Sequence, residues 1–163
     1  MTRILVISDT HLNSFDQLPK AIIIEAEKSD MIVHAGDFCS LDVLQGLRNI
    51  KNVIAVQGNM DEPDLKDMLP RTESFDLDGV QFGLIHGYGS PNSVVDNIKD
   101  IFSDVEVLIF GHSHIPYSEE LAGKLLFNPG SSTDPRSAVI PSYGIITVEN
   151  GELKSQIFRL EEE

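Results

Sequence analysis

The sequence predicts an α/β protein in which parallel strands are joined by crossover helices. Three observations support this. In the first 58 residues, short apolar runs over 3–8, 31–34 and 53–57 alternate with two stretches of helical periodicity. After residue 70 the rhythm changes to short strands closed by tight turns. A polar residue fit for chemistry stands at, or within a few residues of, the C-terminal end of each of five apolar runs: Asp9, Asp37, Asn59, His86 and His112. Open α/β sheets hold their ligands outside the carboxyl ends of their strands, so one place could receive all five.

The elements follow in order. Arg3 to Ser8 is a continuous apolar run, as a buried strand requires, and residues 9–14 break it. Residues 16–28 put Leu18, Ile22, Ile23 and Ala26 on one helical face, with Glu25, Glu27 and Lys28 opposite. Met31–His34 is the next strand, stopped by Gly36. Ser40 is the candidate N-cap of a helix through Ile50, with Val43, Leu44 and Leu47 inward. Residues 53–57 form a third strand, stopped by Gly58. Residues 72–78 and 80–86 flank Asp78-Gly79, a strong hairpin signal. A helix is expected over 93–102 and a strand over 105–110. Short strands follow near 116–121, 124–127, 143–149 and 152–160, with turns at Gly123 and Asn150-Gly151. The length is that of one domain over 1–163, without repeat or linker.

Composition narrows the function. The formal charge of −14, with twelve scattered basic residues, argues against a phosphate-gripping surface and so against a nucleic-acid polymer as partner. The single cysteine, Cys39, excludes an intrachain disulfide and suits a reducing compartment. No signal peptide is expected, since the apolar run begins at once at Ile4 with only Arg3 as a basic residue before it, and no apolar stretch approaches the ~20 residues needed to cross a bilayer. A cytoplasmic protein without membrane contact is expected, and a homo-oligomer, dimer or tetramer, stays open.

All five histidines lie in short motifs of one kind: Asp9-Thr10-His11, His34-Ala35-Gly36-Asp37, His86-Gly87-Tyr88-Gly89 and Gly111-His112-Ser113-His114, beside Gly58-Asn59-Met60-Asp61. Imidazole is the commonest metal ligand, and carboxylate and amide oxygens suit hard or borderline ions. Each motif alone has a plainer explanation. Asp9 and Asp37 could be turn residues, Asn59 could hold a left-handed turn, and His86 could be a satisfied core histidine. Two histidines one residue apart at a strand end are seldom needed for packing. The motifs together, in this order and at strand ends, point to a metal site. Its ions would then be the locally positive spot on an acidic protein, and an anionic substrate would go there.

The ordered set Asp-x-His, Gly-Asp, Gly-Asn-x-Asp, Gly-His-x-His resembles the calcineurin-like metallophosphoesterases. The short length, with Asn128-Pro129-Gly130-Ser131 and Pro135-Arg136, is most similar to their small YfcE-like phosphodiesterase branch. The resemblance runs from residue 3 to about 148. It implies a four-layer α/β/β/α sandwich with two mixed β-sheets flanked by helices, a dinuclear centre at one edge, and hydrolysis of phosphate esters by a metal-bound hydroxide. It assigns Asp9, His11, Asp37 and His114 to one ion and Asp37, Asn59, His86 and His112 to the other, with Asp37 bridging. His34 stands behind the ligands or simply makes one hydrogen bond in the core. Mixed N and O ligation without thiolate suits Mn, Fe, Ni or Zn better than Ca; Mn2+ is the expected ion, with Ni2+, Fe2+ or Zn2+ as alternatives. Cys39 is expected to pack rather than to bind metal.

One departure bears on mechanism. Many relatives read Gly-Asn-His-Glu, whose histidine sits near the leaving group, where this chain reads Gly58-Asn59-Met60-Asp61. Methionine donates no proton. Asn59 and Asp61 are the candidate catalytic residues, Asp61 as an acid only if its pKa is raised. Met60 and Arg136 are the candidate substrate contacts, and Tyr88 either lines the pocket or is an ordinary loop aromatic. Without a strong acid, small phosphodiesters with good leaving groups are the expected substrates. The alternatives are a phosphomonoesterase on the same site, or a non-enzymatic protein-interaction scaffold of the retromer-subunit type. A nuclease is disfavoured, because a polymer needs a basic groove.

Overall fold

Two five-stranded sheets face each other across a shared apolar layer in the computed structural model, which describes residues 1–133 and 140–160. The strands are β1 (Thr2–Ile7), β2 (Met31–His34), β3 (Val53–Ala55), β4 (Thr72–Leu77), β5 (Val80–Ile85), β6 (Val107–Ile109), β7 (Tyr117–Leu121), β8 (Lys124–Asn128), β9 (Ser142–Glu149) and β10 (Glu152–Arg159). The helices are α1 (Lys20–Lys28), α2 (Leu41–Ile50), α3 (Pro63–Met68) and α4 (Val94–Ile98). The first sheet has the order β10-β9-β1-β2-β3, and the second β4-β5-β6-β8-β7. Both are mixed. β1, β2 and β3 run parallel, with Ile4 opposite Met31 and Ile32 opposite Val53, while β9 is antiparallel to both its neighbours, β1 and β10. In the second sheet β5, β6 and β8 are parallel, and β4 and β7 close antiparallel edges.

Strand pleating builds the layers. Alternate residues of a strand point to opposite faces, and in β1 both sets are apolar because both faces are covered. Ile4 and Val6 join Val33, Ile146, Phe82, Ile109 and Phe127 between the sheets. Leu5 and Ile7 join Ile22, Ala26, Leu44, Leu47 and Leu65 beneath α1, α2 and α3. On the far side, Leu108, Phe110 and Leu126 pack against Val94 and Ile98 of α4. Three apolar clusters therefore lie between four layers of secondary structure, the expected α/β/β/α sandwich. Among the described residues no helix is long and apolar enough to cross a membrane.

Several boundaries differ from expectation, each for a local reason. The helix expected over 16–28 is split. Phe15–Gln17 is a single 3-10 turn, Leu18 is extended at φ −65°, ψ 135°, and α1 begins only at Lys20. Pro19 disfavours helical geometry in the residue before it. Ser40 occupies the N-cap position of α2, but its hydroxyl donates to the Asn13 carbonyl at 2.9 Å rather than accepting from the helix. Helix α3 was not anticipated; Pro63 at its start and Asp64 in its first turn are start signals, but six residues are too few to show periodicity. Helix α4 stops at Ile98, short of residue 102, and Lys124 of β8 donates to the carbonyls of Lys99 and Phe102. The hairpin turns behave as read: Asp78-Gly79, Ala122-Gly123 and Asn150-Gly151 all carry two successive positive φ angles, which two-residue turns matched to strand twist demand.

The inter-sheet layer is a fully buried apolar core. Phe127 is fully buried there, its ring against Gly144 of β9, where any side chain would overlap it. Phe127→Ala is expected to cost ~3–5 kcal/mol, read as a lower urea midpoint at unchanged m. A loss below about 1 kcal/mol would mean that the layer collapses to refill the space.

Candidate metal centre

The C-terminal ends of β1, β2, β3, β5 and β6 open onto one rim between the sheets, and their following loops are laced together. Asp9 N donates to Gly36 O at 2.9 Å, His11 N to Asp37 O at 3.0 Å and Leu12 N to Phe38 O at 3.1 Å, so the loops after β1 and β2 run side by side. Gly111 N donates to His86 O at 3.0 Å and joins the loops of the second sheet. Asn128 Nδ2 donates to Gly111 O and Ser113 Oγ, and Ser131 Oγ donates to Asp9 O at 2.7 Å. The Asn128–Ser131 run is therefore a clasp across both sheets. Arg136, the expected phosphate contact, lies outside the described residues.

The backbone bends sharply to aim these side chains. Among the described residues nine non-glycine residues have positive φ, and three of them belong to the hairpin turns. The other six are Asp9, His11, Asp37, Cys39, His112 and His114, at φ 45–75°. Such geometry is costly without glycine and persists where the surroundings over-determine it, most often at functional sites. Gly58 serves the same purpose: a Cβ there would overlap Asp37 Oδ1.

All seven expected ligands converge. Asp9 is fully buried; its Oδ2 accepts from Ser8 Oγ at 2.7 Å and from His112 N at 3.0 Å. Its Oδ1 has no hydrogen-bond donor among the described residues, yet lies 3.4 Å from His114 Nε2, 3.7 Å from His11 Nε2 and 3.8 Å from His86 Nε2. Asp37 Oδ1 accepts from Met60 N at 2.8 Å, while Oδ2 stands 3.5 Å from His11 Nε2 and 3.3 Å from His86 Nε2. Asn59 Oδ1 and His112 Nδ1 are 3.1 and 3.3 Å from the same His86 nitrogen. Two triads have all their ligand atoms within 4.8 Å of one another: Asp9, His11 and His114, and Asp9, Asp37 and His86.

The outer ring atoms set the tautomers. His86 Nδ1 donates to Ala35 O at 2.7 Å and His112 Nε2 to Gly89 O at 2.9 Å, which turns each remaining nitrogen toward the centre. Cys39 Sγ lies 3.4 Å from His11 Nδ1, behind that ring. His34 is not among the converging donors. Its Nδ1 accepts from Gly36 N at 3.0 Å, so its Nε2 carries the proton offered to Thr10 Oγ1 at 3.2 Å, and its ring stacks on Phe38 at 3.5 Å. It thus ties the Asp9 loop to the Asp37 loop with two hydrogen bonds, and burial pushes its pKa down to about 3, which keeps it neutral. Asp61 also serves the loops. Its Oδ2 accepts from Gly58 N at 2.7 Å and Asp37 N at 3.2 Å, and its Oδ1 from Cys39 N at 2.9 Å. Burial raises its pKa even against these donors, as an acid would need, but both oxygens are spent on backbone amides. Met60 is half exposed at the rim.

This donor set fits divalent cations. Burial penalises the Asp9 charge, yet the imidazoles of His11, His114 and His86 more than offset that and hold Asp9 far below the usual carboxylate range. Asp37 is lowered too, with burial opposed by His86 and the Met60 amide. His86 shows the converse: burial works against its charge, but Asp37 and Asp9 push it up to about 9. A protonated imidazole between two carboxylates is doing by proton what a metal would do by charge.

A model of the calcineurin-like phosphoesterase superfamily domain matches residues 2–151. The chain belongs to that superfamily. Its relatives include a probable metallophosphoesterase of Methanocaldococcus jannaschii, 36% identical over 161 residues that cover 96% of this chain and 81% of the relative. A phosphodiesterase of the same organism is 34% identical over 169 residues, covering 93% of this chain and 96% of the relative. The crystal structure of Chaetomium thermophilum Vps29 superposes with a TM-score of 0.82 over 99% of this chain and 93% of its own, at 21% identity, a likeness of fold alone. The superfamily implies divalent metal ions, and the buried Asp9 oxygen without a donor, facing three imidazoles, is where one fits.

Metal uptake must displace the His86 proton. The apparent affinity for a divalent ion is therefore expected to climb as pH rises from 6.5 towards about 9 and to level off above. The same shift stabilises the metal-free fold below pH 6.5, and that contribution is lost as pH rises through about 9. Calorimetric titration with Mn2+ at pH 7, in two buffers of different ionisation enthalpy, should show net proton release. A heat independent of buffer would refute it.

Proposed function

We propose that the protein is a dinuclear-metal phosphodiesterase acting on small phosphodiesters. The observation that carries this is the position of Asp37 Oδ2, between His11 Nε2 of one donor group and His86 Nε2 of the other. Asp9, His11, Asp37 and His114 would hold one ion, and Asp37, Asn59, His86 and His112 the second. Mn2+ is the metal assigned, with Ni2+, Fe2+ and Zn2+ compatible with the same nitrogen and oxygen donors. When bound, such ions neutralise a phosphate ester and make water acidic enough to attack it near neutral pH. The chain's own residues supply geometry. Ala35 and Gly89 carbonyls fix the rings of His86 and His112, Gly58 lets Asp37 approach, and Asp61 pins the Asp37 and Cys39 amides. A reducing, cytoplasmic setting suits Cys39, whose thiol stands against His11.

The diester preference rests on the lack of a free proton donor in the 58–61 loop. Met60 offers none, and Asp61, the other candidate acid, is held by three backbone amides, so we assign it a positioning role. The phosphodiesterase relative supports the same choice. The scaffold alternative draws only on likeness of fold, while all seven donors here are present and aimed inward.

Asp37→Asn keeps the shape and loses the charge between the two donor groups. It is expected to abolish most turnover of bis(p-nitrophenyl) phosphate in Mn2+ while the circular dichroism spectrum of the metal-free protein stays that of the folded wild type; its melting temperature should fall, because His86 loses the carboxylate that does most to raise its pKa. Near-normal turnover would remove Asp37 from its bridging role.

A series of aryl diesters tests the missing acid. General-acid help is worth typically ~10²–10⁴-fold, about 3–5 kcal/mol of barrier. The rate should therefore fall steeply as leaving-group pKa rises, where chemistry limits turnover, and Met60→His should flatten the slope. A flat slope in the wild type would mean that some group already donates the proton. Faster hydrolysis of alkyl monoesters would make the protein a phosphomonoesterase on the same metal site.

A further inference from the structure

We infer that the cleft leading from Asn59 and His86 to Lys66 and Arg71 seats the second ester arm of the substrate and selects arms bearing an additional anionic group. The inference rests on the phosphodiesterase reading and names the substrate class that reading leaves open.

The cleft has a volume of about 490 Å³, within the range of small-molecule sites. Its floor is formed by Asn59 and His86, two of the proposed ligands, and its walls by Lys66, Arg71, Thr72 and Tyr88. Two further clefts among the described residues, of about 210 and 350 Å³, are lined by none of the seven. The lining is unusual for this chain. The protein has 26 acidic and 12 basic residues, yet no carboxylate lines this cleft and two cations do. Among the described residues neither Lys66 nor Arg71 has a carboxylate within the 4.0 Å of an ion pair. Their charge is therefore open to a ligand.

One of the two cations, Lys66, is also held in place, and the backbone leading to Arg71 is tied down. Gln57, in the loop after β3, donates through Nε2 to the carbonyls of Lys66 at 3.0 Å and Leu69 at 2.8 Å, and its own N–H donates to Pro70 O at 2.9 Å. That ties the 66–70 segment to the strand end that carries Asn59. Lys66 Nζ donates to Asn59 O at 3.0 Å, which fixes its ammonium beside the centre. Arg71 follows directly, and its planar guanidinium suits a phosphate or carboxylate in bidentate contact. Opposite, Tyr88 is 53% exposed but not loose: its hydroxyl donates to Asn97 O at 3.0 Å, and Asn97 Nδ2 donates back to Tyr88 O at 2.9 Å. The ring presents a fixed flat wall on which a planar group can stack. A scissile phosphate over the metal centre would thus place its second arm between a flat aromatic face and two cations, an arrangement matching a nucleoside-like arm with a further phosphate.

The test compares two diesters with one scissile bond, thymidine 5′-(p-nitrophenyl phosphate) with and without a 3′-phosphate, on the Mn2+-loaded protein. The wild type should favour the 3′-phosphorylated compound in kcat/KM by about tenfold or more, the scale of one charged hydrogen bond. Arg71→Ala should bring the ratio close to one, and Arg71→Lys should retain part of it. A wild-type ratio near one, or a ratio unchanged in Arg71→Ala, overturns the inference. If neither compound is hydrolysed, the phosphodiesterase reading fails, and binding decides the cleft. Calorimetry should then show thymidine 3′,5′-bisphosphate binding more tightly than thymidine 5′-monophosphate in the wild type but not in Arg71→Ala; equal affinities would overturn it.

Discussion

A buried carboxylate that no donor among the described residues fully satisfies governs this structure. Asp9 is fully buried, and one of its oxygens faces three imidazoles and has no hydrogen-bond donor among the described residues. Removing a charge from water is expensive unless an opposite charge meets it. The surroundings are arranged to supply one: His86 takes up a proton, Asp37 sits across from it, and the loops bring His11 and His114 to the open oxygen. Six residues adopt left-handed backbone to achieve this, at roughly 1–3 kcal/mol each for such geometry. The laced loops, the Asn128–Ser131 clasp and three apolar layers offset that strain.

Most of the frame could be read from the chain, because it depends on local pattern. The apolar runs gave β1, β2 and β3 and their parallel order, and Asp78-Gly79 and Asn150-Gly151 marked turns that the backbone angles bear out. The polar residues at strand ends were found for the same reason: position along a strand is local, and the strand ends bring the residues together. What escaped depended on shorter signals or on contacts distant in sequence. Pro19 overrode a helical face that looked continuous, and α3 was too short to show one. Asp61 was read as a possible acid because nothing in Gly-Asn-Met-Asp tells where a carboxylate points; only the fold shows it facing the amides of residues 37, 39 and 58. Lys66 and Arg71 looked like two more scattered cations, since the Gln57 bonds that fix their segment cannot be seen in a one-dimensional pattern.

The charge distribution has a similar logic. On a protein of formal charge −14, an anion is repelled from most of the surface. A cleft without carboxylates, opening beside a cation centre, is then an approach where repulsion relaxes, and low-dielectric walls focus the field along it. The acidic remainder of the surface would disfavour polyanions, which must lie across it, more than small anions, which need not.

β1 lies at the middle of its sheet, bonded on one side to β2 and on the other to β9, whose partner residues lie more than a hundred positions later. During synthesis from the N-terminus, β1 can pair at once with β2, but its other edge stays open until β9 has left the ribosome. Such long-range pairing is intrinsically slow, and an unpaired edge invites pairing with another chain. The same delay applies to chemistry. Asp9 and His11 are made early and His112 and His114 late, so a nascent chain holds only fragments of the centre. Cation capture thus becomes a late event in maturation, coupled to closure of the sheet, and a chain arrested before β9 would expose both an adhesive edge and an unneutralised carboxylate.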